Sequence, residues 1–307
     1  MRVLEVLPRL FFFERGYLNG NHFAAREPDV VLLDTGYASG LEQTLACLSQ
    51  VGIDHADVQR IVNTHCHCDH VGGNPAIQGA SGSLAQVHCA ARPMVESGNR
   101  VATWWDYYHQ EGEFFPVGGW LEDGEEIQLG GHPFRVLHLP GHAPDQIALF
   151  HSGEKLLISS DALWERDLAV VTAAVEGDDA AAVWLASLDR LADLEVKLVL
   201  PGHGTPFADF TGALERTRER LQGYCKDPLR MAEDLLRKIT VYTLLMNGPQ
   251  EEAGFFDRLQ ATRWFPETVD RWFGGARRIK YDETLASLLQ RGAAVRAGGN
   301  LATQVRP

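Results

Sequence analysis

Short apolar runs alternate with amphipathic segments over the first two thirds of the chain. Residues 30–33 are four consecutive aliphatic side chains that end at the turn-forming Asp34-Thr35-Gly36, and residues 58–63 are a second apolar run, so both are expected to be buried strands. Between them, residues 40–50 place apolar side chains at helical spacing. Further short runs separated by turn residues predict antiparallel strands at 126–129, 134–139, 147–151 and 156–159. The pattern therefore predicts an α/β domain.

The pattern becomes mainly helical after about residue 209. Residues 212–224 have helical periodicity, and Asp227-Pro228 is a typical helix start, with aspartate as the N-cap and proline at the first helical position. This second helix is expected to end near Asn247, and a weak β-hairpin is expected around Gly298-Gly299-Asn300. We therefore predict one α/β domain over residues 1–208 and a small, mainly helical domain over residues 209–307.

Candidate chemistry is concentrated in His65-Cys66-His67-Cys68-Asp69-His70, directly after the apolar run of residues 58–63. Imidazole nitrogens are the commonest protein ligands of zinc-like metals, and carboxylate oxygens also suit them. In extended backbone, residues two apart point to the same side, so His65 and His67 can hold one ion together. Asp69 and His70 open the next element and can reach a second ion.

Three more candidate ligands each follow an apolar strand run. They are His142 after Pro140-Gly141, Asp161 after Ser159-Ser160, and His203 after Pro201-Gly202. Loops at strand ends are where α/β folds usually build their sites. Packing explains one histidine at a strand end, but it does not explain five histidines and two aspartates together, so the set favours a metal site.

This series of motifs, HxHxDH followed by GH, an aspartate after a strand and PGHG, resembles the metallo-β-lactamase superfamily over about residues 1–208. The resemblance implies an αββα sandwich with two metals at one edge between the sheets, and a helical tail with winged-helix features, as in some relatives. It assigns seven ligands to the two metals: His65, His67 and His142 to the first, Asp69, His70 and His203 to the second, and Asp161 to both.

By this resemblance the protein is a hydrolase in which two cations lower the pKa of a shared water, so that a bridging hydroxide attacks the substrate. Asp69 is expected to be catalytic as well as a ligand, because it can orient the nucleophile and move a proton. The nitrogen and oxygen donors favour two Zn²⁺ ions, and they also accept iron or manganese. Cys66 and Cys68 are not expected to be ligands, because their neighbours already fill the sites.

Two further positions leave alternatives open. Asp34 resembles a structural aspartate of the family that orients a ligand imidazole or its loop, but a simple turn role explains it equally well. Many members carry a histidine four residues after the equivalent of His142, and this sequence has Gln146 there. That departure leaves the metals in place and indicates different substrate contacts.

Composition and charge bear on the compartment and the partners. The hydrophobic fraction of 45% and the charged fraction of 22% are ordinary for a soluble globular protein. No apolar stretch is long enough to span a bilayer, and the five cysteines form no regular framework, so we expect a cytoplasmic protein with reduced thiols and no membrane contact. Residues 1–208 carry 12 basic and 28 acidic side chains and residues 209–307 carry 16 and 13, which disfavours nucleic acid without excluding it.

The fold alone does not choose the substrate. The aromatic residues within 104–109 would suit an apolar acyl group if they form a wall or lid, although simple packing also explains them. We expect cleavage of a small ester, thioester, lactone or β-lactam. The alternative is an endoribonuclease or phosphodiesterase of the same superfamily, because a similar tail accompanies endoribonuclease activity in one branch and thioester binding in another. A regulatory protein with a degenerate site is disfavoured, because no ligand is missing.

The tail carries many large apolar residues for its length, including Phe256, Trp264 and Trp272. Some of these side chains could cover the first domain and others could meet a partner chain, which makes a homodimer one prediction. Burial within the tail's own small core is an equally good explanation.

Overall fold

The first sheet contains seven strands that lie side by side in chain order. The computed structural model describes residues 2–306. The strands are β1 (Arg2–Leu7), β2 (Leu10–Glu14), β3 (His22–Ala25), β4 (Val31–Leu33), β5 (Arg60–Val62), β6 (Leu84–His88) and β7 (Val117–Leu121). The first four pair antiparallel, and β4 to β7 pair parallel. The carboxyl ends of the parallel strands therefore meet at one edge of the sheet.

The second sheet contains five strands in the order β12-β11-β10-β9-β8. They are β8 (Glu126–Leu129), β9 (His132–His138), β10 (Ile147–His151), β11 (Leu156–Ser160) and β12 (Leu198–Pro201). Neighbours pair antiparallel, except that β11 and β12 are parallel. The two aliphatic runs expected as strands near residues 30 and 60 and the four expected between 126 and 159 are thus all strands.

Helices cover the outer face of each sheet. They are α1 (Leu41–Gln50), α2 (Cys68–Val71), α3 (Asn74–Ser81), α4 (Arg92–Ser97), α5 (Ala173–Glu176) and α6 (Ala180–Asp189), with 3-10 turns at Ala38–Gly40, His55–Asp57 and Cys89–Ala91. The inner faces of the sheets pack together through side chains such as Phe12, Phe23, Phe134 and Leu149, each at most 3% exposed. Each such burial contributes roughly 1.5–3 kcal/mol. The predicted αββα layering is confirmed.

The C-terminal region is mainly helical, as predicted. It contains α7 (Phe210–Lys226), α8 (Pro228–Asn247), α9 (Glu252–Gln260), α10 (Trp264–Phe273) and α11 (Arg277–Gln290), and a three-stranded sheet of β13 (Gln250–Glu251), β14 (Ala294–Ala297) and β15 (Asn300–Thr303). Asp227 caps α8 by accepting a hydrogen bond from the backbone N–H of Leu229, at 3.3 Å. Strands β14 and β15 form the expected hairpin.

The tail packs on the sandwich through two clusters. Leu221 and Tyr224 of α7 join the core that covers the second sheet, and the aromatic side chains of Tyr107 and Tyr108 join a core formed by α8 to α11. The division between residues 208 and 209 stays a prediction. Within residues 2–306, no helix combines the length and the apolar character needed to cross a bilayer.

Candidate metal centre

Strand ends from both sheets bring the seven candidate ligands together. The chain leaves β5 at Val62, and His65, His67, Asp69 and His70 follow within the next eight residues, at the carboxyl edge of the parallel strands. From the second sheet, the β9–β10 loop supplies His142, the end of β11 supplies Asp161, and the end of β12 supplies His203. The site therefore lies where the edges of the two sheets meet.

The seven side chains form two groups, and in each group one ligand atom per residue lies within 4.8 Å of all the others. The first group is His65, His67 and His142, and the second is Asp69, His70, Asp161 and His203. Asp161 lies between them, because its Oδ2 is 3.4 Å from Nε2 of His142 and 3.6 Å from Nε2 of His70. This is the grouping that the motif resemblance implied.

Three of these imidazoles bury a nitrogen that has no hydrogen-bond partner among residues 2–306. The Nε2 atoms of His65, His67 and His70 are all in this state. Leaving a buried polar atom unsatisfied costs about 1–3 kcal/mol. Such atoms are therefore rare in folded proteins, and a cluster of them indicates a site where a bound ion or ligand satisfies them. His67 faces His142 through its other nitrogen, Nδ1, so the unsatisfied Nε2 atoms of His65 and His70 are the ones that, with the donor set, fit divalent cations.

Hydrogen bonds from Nδ1 of His70 and of His142 aim the Nε2 atom of each ring into the site. There, Nε2 of His142 lies 3.0 Å from Nδ1 of His67. Asp34 accepts hydrogen bonds from Nδ1 of His70 at 2.8 Å and from the backbone N–H of Thr64 at 2.8 Å. Nδ1 of His142 lies 2.8 Å from the carbonyl oxygen of Val170, to which it donates. A proton on Nδ1 leaves the lone pair on Nε2, which is the form that binds a metal. Asp34 therefore orients a candidate ligand and also holds its loop.

Burial and neighbouring imidazoles keep part of the site uncharged. Burial lowers the pKa of His65 and His67 well below the usual histidine range, and the other imidazoles nearby lower it further. Burial also lowers the pKa of His142, although Asp161 opposes the shift. These three side chains are therefore neutral at pH 7, and neutral imidazole is the ligand form.

The second group is electrostatically different because it contains the carboxylates. Burial opposes a charge on His70 and on His203, but Asp161 and Asp69 outweigh that effect and raise both pKa values. In return, the imidazoles hold the pKa of Asp161 well below its usual range despite its burial. Protons and metal ions therefore compete for this group.

A family model for the metallo-beta-lactamase superfamily matches residues 23–203, which include all seven candidate ligands. The chain belongs to the metallo-β-lactamase superfamily.

Superfamily relatives resemble the chain at low identity. The lactamase-like protein adaB of Aspergillus niger is 23% identical over 80% of this chain and 64% of its own length, and the acyl-coenzyme A thioesterase MBLAC2 of Bos taurus is 29% identical over 63% and 77%. The chain thus spans less than two thirds of the length of the first of these relatives. A metallo-beta-lactamase family protein of Thermus thermophilus matches 98% of this chain and 100% of its own, with a TM-score of 0.60 and 24% identity, which supports the fold.

Asn21 holds the superfamily PGHG loop, and sequence reasoning missed it. Its side chain accepts a hydrogen bond from the backbone N–H of Arg15 at 2.7 Å and donates to the carbonyl oxygens of Pro201 at 2.9 Å and Gly204 at 2.8 Å. These bonds fix the loop that carries His203. A Cβ on Gly202 would lie 2.0 Å from Oδ1 of Asp161, so the loop can approach that carboxylate only with glycine.

Trp104 forms a wall of the site, while its aromatic neighbours are packed. Its ring stacks on His67 with centroids 3.7 Å apart, and its Nε1 donates to Oε1 of Glu176 at 2.5 Å. Its φ of 69° is in the left-handed region, which is rare for a tryptophan. Tyr107 and Tyr108 are at most 1% exposed and belong to the tail's core. Of the two roles considered for this segment, a wall over the site applies to Trp104, and simple packing explains Tyr107 and Tyr108.

Cys66 and Cys68 belong to neither ligand group, as expected. Burial raises the pKa of both thiols well above the usual range. Cys66 lies beside Asp145, whose carboxylate oxygens accept no well-formed hydrogen bond from residues 2–306. Burial raises the pKa of Asp145 to about 6. Gln146, at the position where many relatives have histidine, is buried and donates to the carbonyl oxygen of Ile147 at 2.7 Å.

A cavity of about 550 Å³ opens over both ligand groups and extends to the tail. Candidate ligands form its floor: His67, Asp69, His142, Asp161 and His203. Aromatic and aliphatic side chains form much of its wall: Tyr17, Trp104, Trp164, Val170, Ile239, Val241, Tyr242, Leu245 and Leu288. Ligand sites of small molecules typically combine such apolar walls with a few polar groups.

Proposed function

We propose that this protein is a metal-dependent hydrolase of a small carbonyl substrate, namely an ester, thioester, lactone or β-lactam. The observation that carries the proposal is that five members of the two ligand groups line the floor of an apolar-walled cavity. The two ligand groups would hold two divalent cations, and Zn²⁺ suits their nitrogen and oxygen donors best. When bound, such ions supply a Lewis acid and lower the pKa of water.

The chain's own residues divide the remaining work. Asp69 lines the cavity, and its Oδ2 accepts a hydrogen bond from Nε2 of His203 at 3.1 Å. An acceptor at this position can orient the attacking water and take up its proton, which is the catalytic role proposed for Asp69. Trp104 and Trp164 shield the floor of the cavity from bulk water and offer flat surfaces for an acyl group.

Two observations favour a carbonyl substrate over RNA or another phosphodiester. Many basic side chains of the tail are already paired with acids, for example Arg277 with Asp270 and Arg296 with Glu252. As far as residue 306, the tail therefore offers no broad basic surface, although nucleic-acid binding depends on such a surface. The relative MBLAC2 is named as an acyl-coenzyme A thioesterase, which supports a thioester among the carbonyl candidates.

Metal analysis combined with a substrate panel tests the proposal. The purified protein is expected to hold two metal ions per chain by mass spectrometry, and His65→Ala and Asp161→Asn are expected to lower that content and to reduce turnover at least 100-fold. His55→Ala, an exposed histidine outside both groups, is the matched control.

The panel contains an ester, an acyl thioester, a lactone, a β-lactam and bis(p-nitrophenyl)phosphate. Hydrolysis of a carbonyl substrate that stops on chelation supports the proposal. A protein that cleaves only the phosphodiester, or one that contains no metal, would contradict it.

A further inference from the structure

The cavity has a second, basic end that the proposed reaction does not use. Arg220 of α7, Arg237 and Lys238 of α8, and Arg291 directly after α11 all line it. The wall between this basic end and the ligand groups is formed largely by apolar side chains, among them Ile239 and Leu288. The cavity therefore joins a candidate metal centre to a positively charged end through an apolar section.

Two of the four basic groups are neutralised by acids. Nζ of Lys238 lies 2.8 Å from Oδ2 of Asp234 and 3.1 Å from Oδ1 of Asp167. Arg220 binds the same two carboxylates, with Nη1 2.5 Å from Oδ1 of Asp167. This half-buried network accounts for both acids, so it adds little net charge to the cavity.

The other two basic groups carry the excess charge. Four basic groups and two acids line this end of the cavity, which leaves two positive charges in excess. Arg237 shares Asp234 with Lys238 and Arg220, since its Nη2 lies 3.4 Å from Oδ1 of Asp234, and its Nη1 is 3.9 Å from Glu233. Arg291 is exposed, and no carboxylate of residues 2–306 lies within ion-pair distance of its guanidinium. An arginine without a carboxylate partner at the end of such a cavity is well suited to bind a carboxylate or phosphate oxygen.

We infer that the substrate carries an anionic group, a carboxylate or a phosphate, which Arg237 and Arg291 bind while an apolar segment spans the cavity to the scissile carbonyl. This inference rests on the proposed function for the position of the carbonyl. The C-terminal tail would then select the substrate, because both arginines belong to it.

Three thioethers that cannot be hydrolysed test the inference on the protein as purified. S-hexyl-N-acetylcysteamine is neutral, S-(5-carboxypentyl)-N-acetylcysteamine carries a carboxylate on the acyl side, and S-hexyl-coenzyme A carries phosphates on the leaving-group side. Binding is followed by the fluorescence of Trp104 and Trp164, which line the cavity. At least one anionic probe is expected to bind about tenfold more tightly than the neutral one, and less so at 1 M salt.

The double variant Arg237→Gln/Arg291→Gln is expected to reduce the ratio of the two affinities, anionic probe over neutral probe, to about one. Lysine at the same two positions keeps the charge and is expected to keep part of this ratio. Arg258→Gln, an exposed arginine of the tail outside the cavity, should keep the full preference. Equal binding of all three probes would overturn the inference. So would a preference that survives in the double variant, because the anion would then bind at the ligand groups instead. Since binding is measured without turnover, these outcomes are separate from the hydrolysis panel.

Discussion

Replacing Asp145 by asparagine should change the stability of the protein more favourably at neutral pH than in acid. The side chain is 1% exposed and its oxygens accept no well-formed hydrogen bond from residues 2–306. Burial raises its pKa from 3.8 to about 6. The unfolded chain therefore loses this proton at lower pH than the folded protein. As pH rises from 3.8 through 6, the folded state loses stability relative to the unfolded state, and above that range the loss is constant.

The size of the effect follows from the two pKa values. One pKa unit corresponds to about 1.4 kcal/mol, so the full difference is roughly 3 kcal/mol, of which about 2 kcal/mol develops between pH 4.5 and pH 7.5. Asparagine does not titrate and has nearly the same shape. Any fixed cost of burying its amide cancels when the two pH values are compared. Asp145→Asn should therefore gain about 2 kcal/mol in unfolding free energy over the wild type between pH 4.5 and pH 7.5.

Urea unfolding at both pH values, followed by tryptophan fluorescence at constant metal concentration, measures this difference. Asp123→Asn is the matched control, because this carboxylate titrates below the measured pH range in the folded and the unfolded states. Burial opposes the charge on Asp123, but hydrogen bonds from Arg190 and from the backbone of His138 outweigh it and lower the pKa. Its variant should therefore shift the unfolding free energy nearly equally at pH 4.5 and pH 7.5. If Asp145→Asn shifts the unfolding free energy equally at both pH values, the carboxylate is ionised in the folded protein and the reasoning is wrong.

Three further predictions concern the surroundings of the site. Asn21→Ala removes three hydrogen bonds, two of them buried, and should cost roughly 2–4 kcal/mol, with faster metal loss to a chelator because the His203 loop is freed. Trp104→Leu removes the ring stacked on His67 and should lower kcat/KM about tenfold while mass spectrometry still finds both metals; loss of the metals as well would show a structural role instead. Burial, with help from His138, lowers the pKa of His88 to about 4, so the protein should lose up to about 3 kcal/mol as pH falls from 6.5 to 4. In the variant His88→Gln, the unfolding temperature should depend less on pH over this range.

Sequence reasoning found the parts of the site that local pattern encodes. The HxHxDH motif lies within six residues, and each of the other three ligands directly follows an apolar strand, so strand ends and donor types were enough to select them. Asp34 was found as well, because it follows a buried strand at a turn. Which of its two suggested roles it plays could not be predicted, since its partners His70 and Thr64 are distant in sequence.

The missed features depend on contacts that leave no local pattern. Asn21 bonds to Pro201 across 180 residues, and nothing around Asn21 in the sequence indicates that partner. The left-handed backbone of Trp104 is equally invisible, because it is imposed by packing on His67 and by the bond to Glu176. Likewise, the counts of basic residues suggested a positive tail, but only the structure shows that four basic side chains share two acids at one end of the cavity.

The division of the ligands between the two sheets has a consequence for how the protein assembles. Asp69 and His203 meet across 134 residues, and His67 and His142 meet across 75, so neither ligand group is complete until the sandwich has closed. Cations would then bind after the two sheets have packed together, and they would not direct folding. Their binding energy would add to the free energy of unfolding. Removing them should make the contact between the two sheet edges at the site the first part of the structure to open.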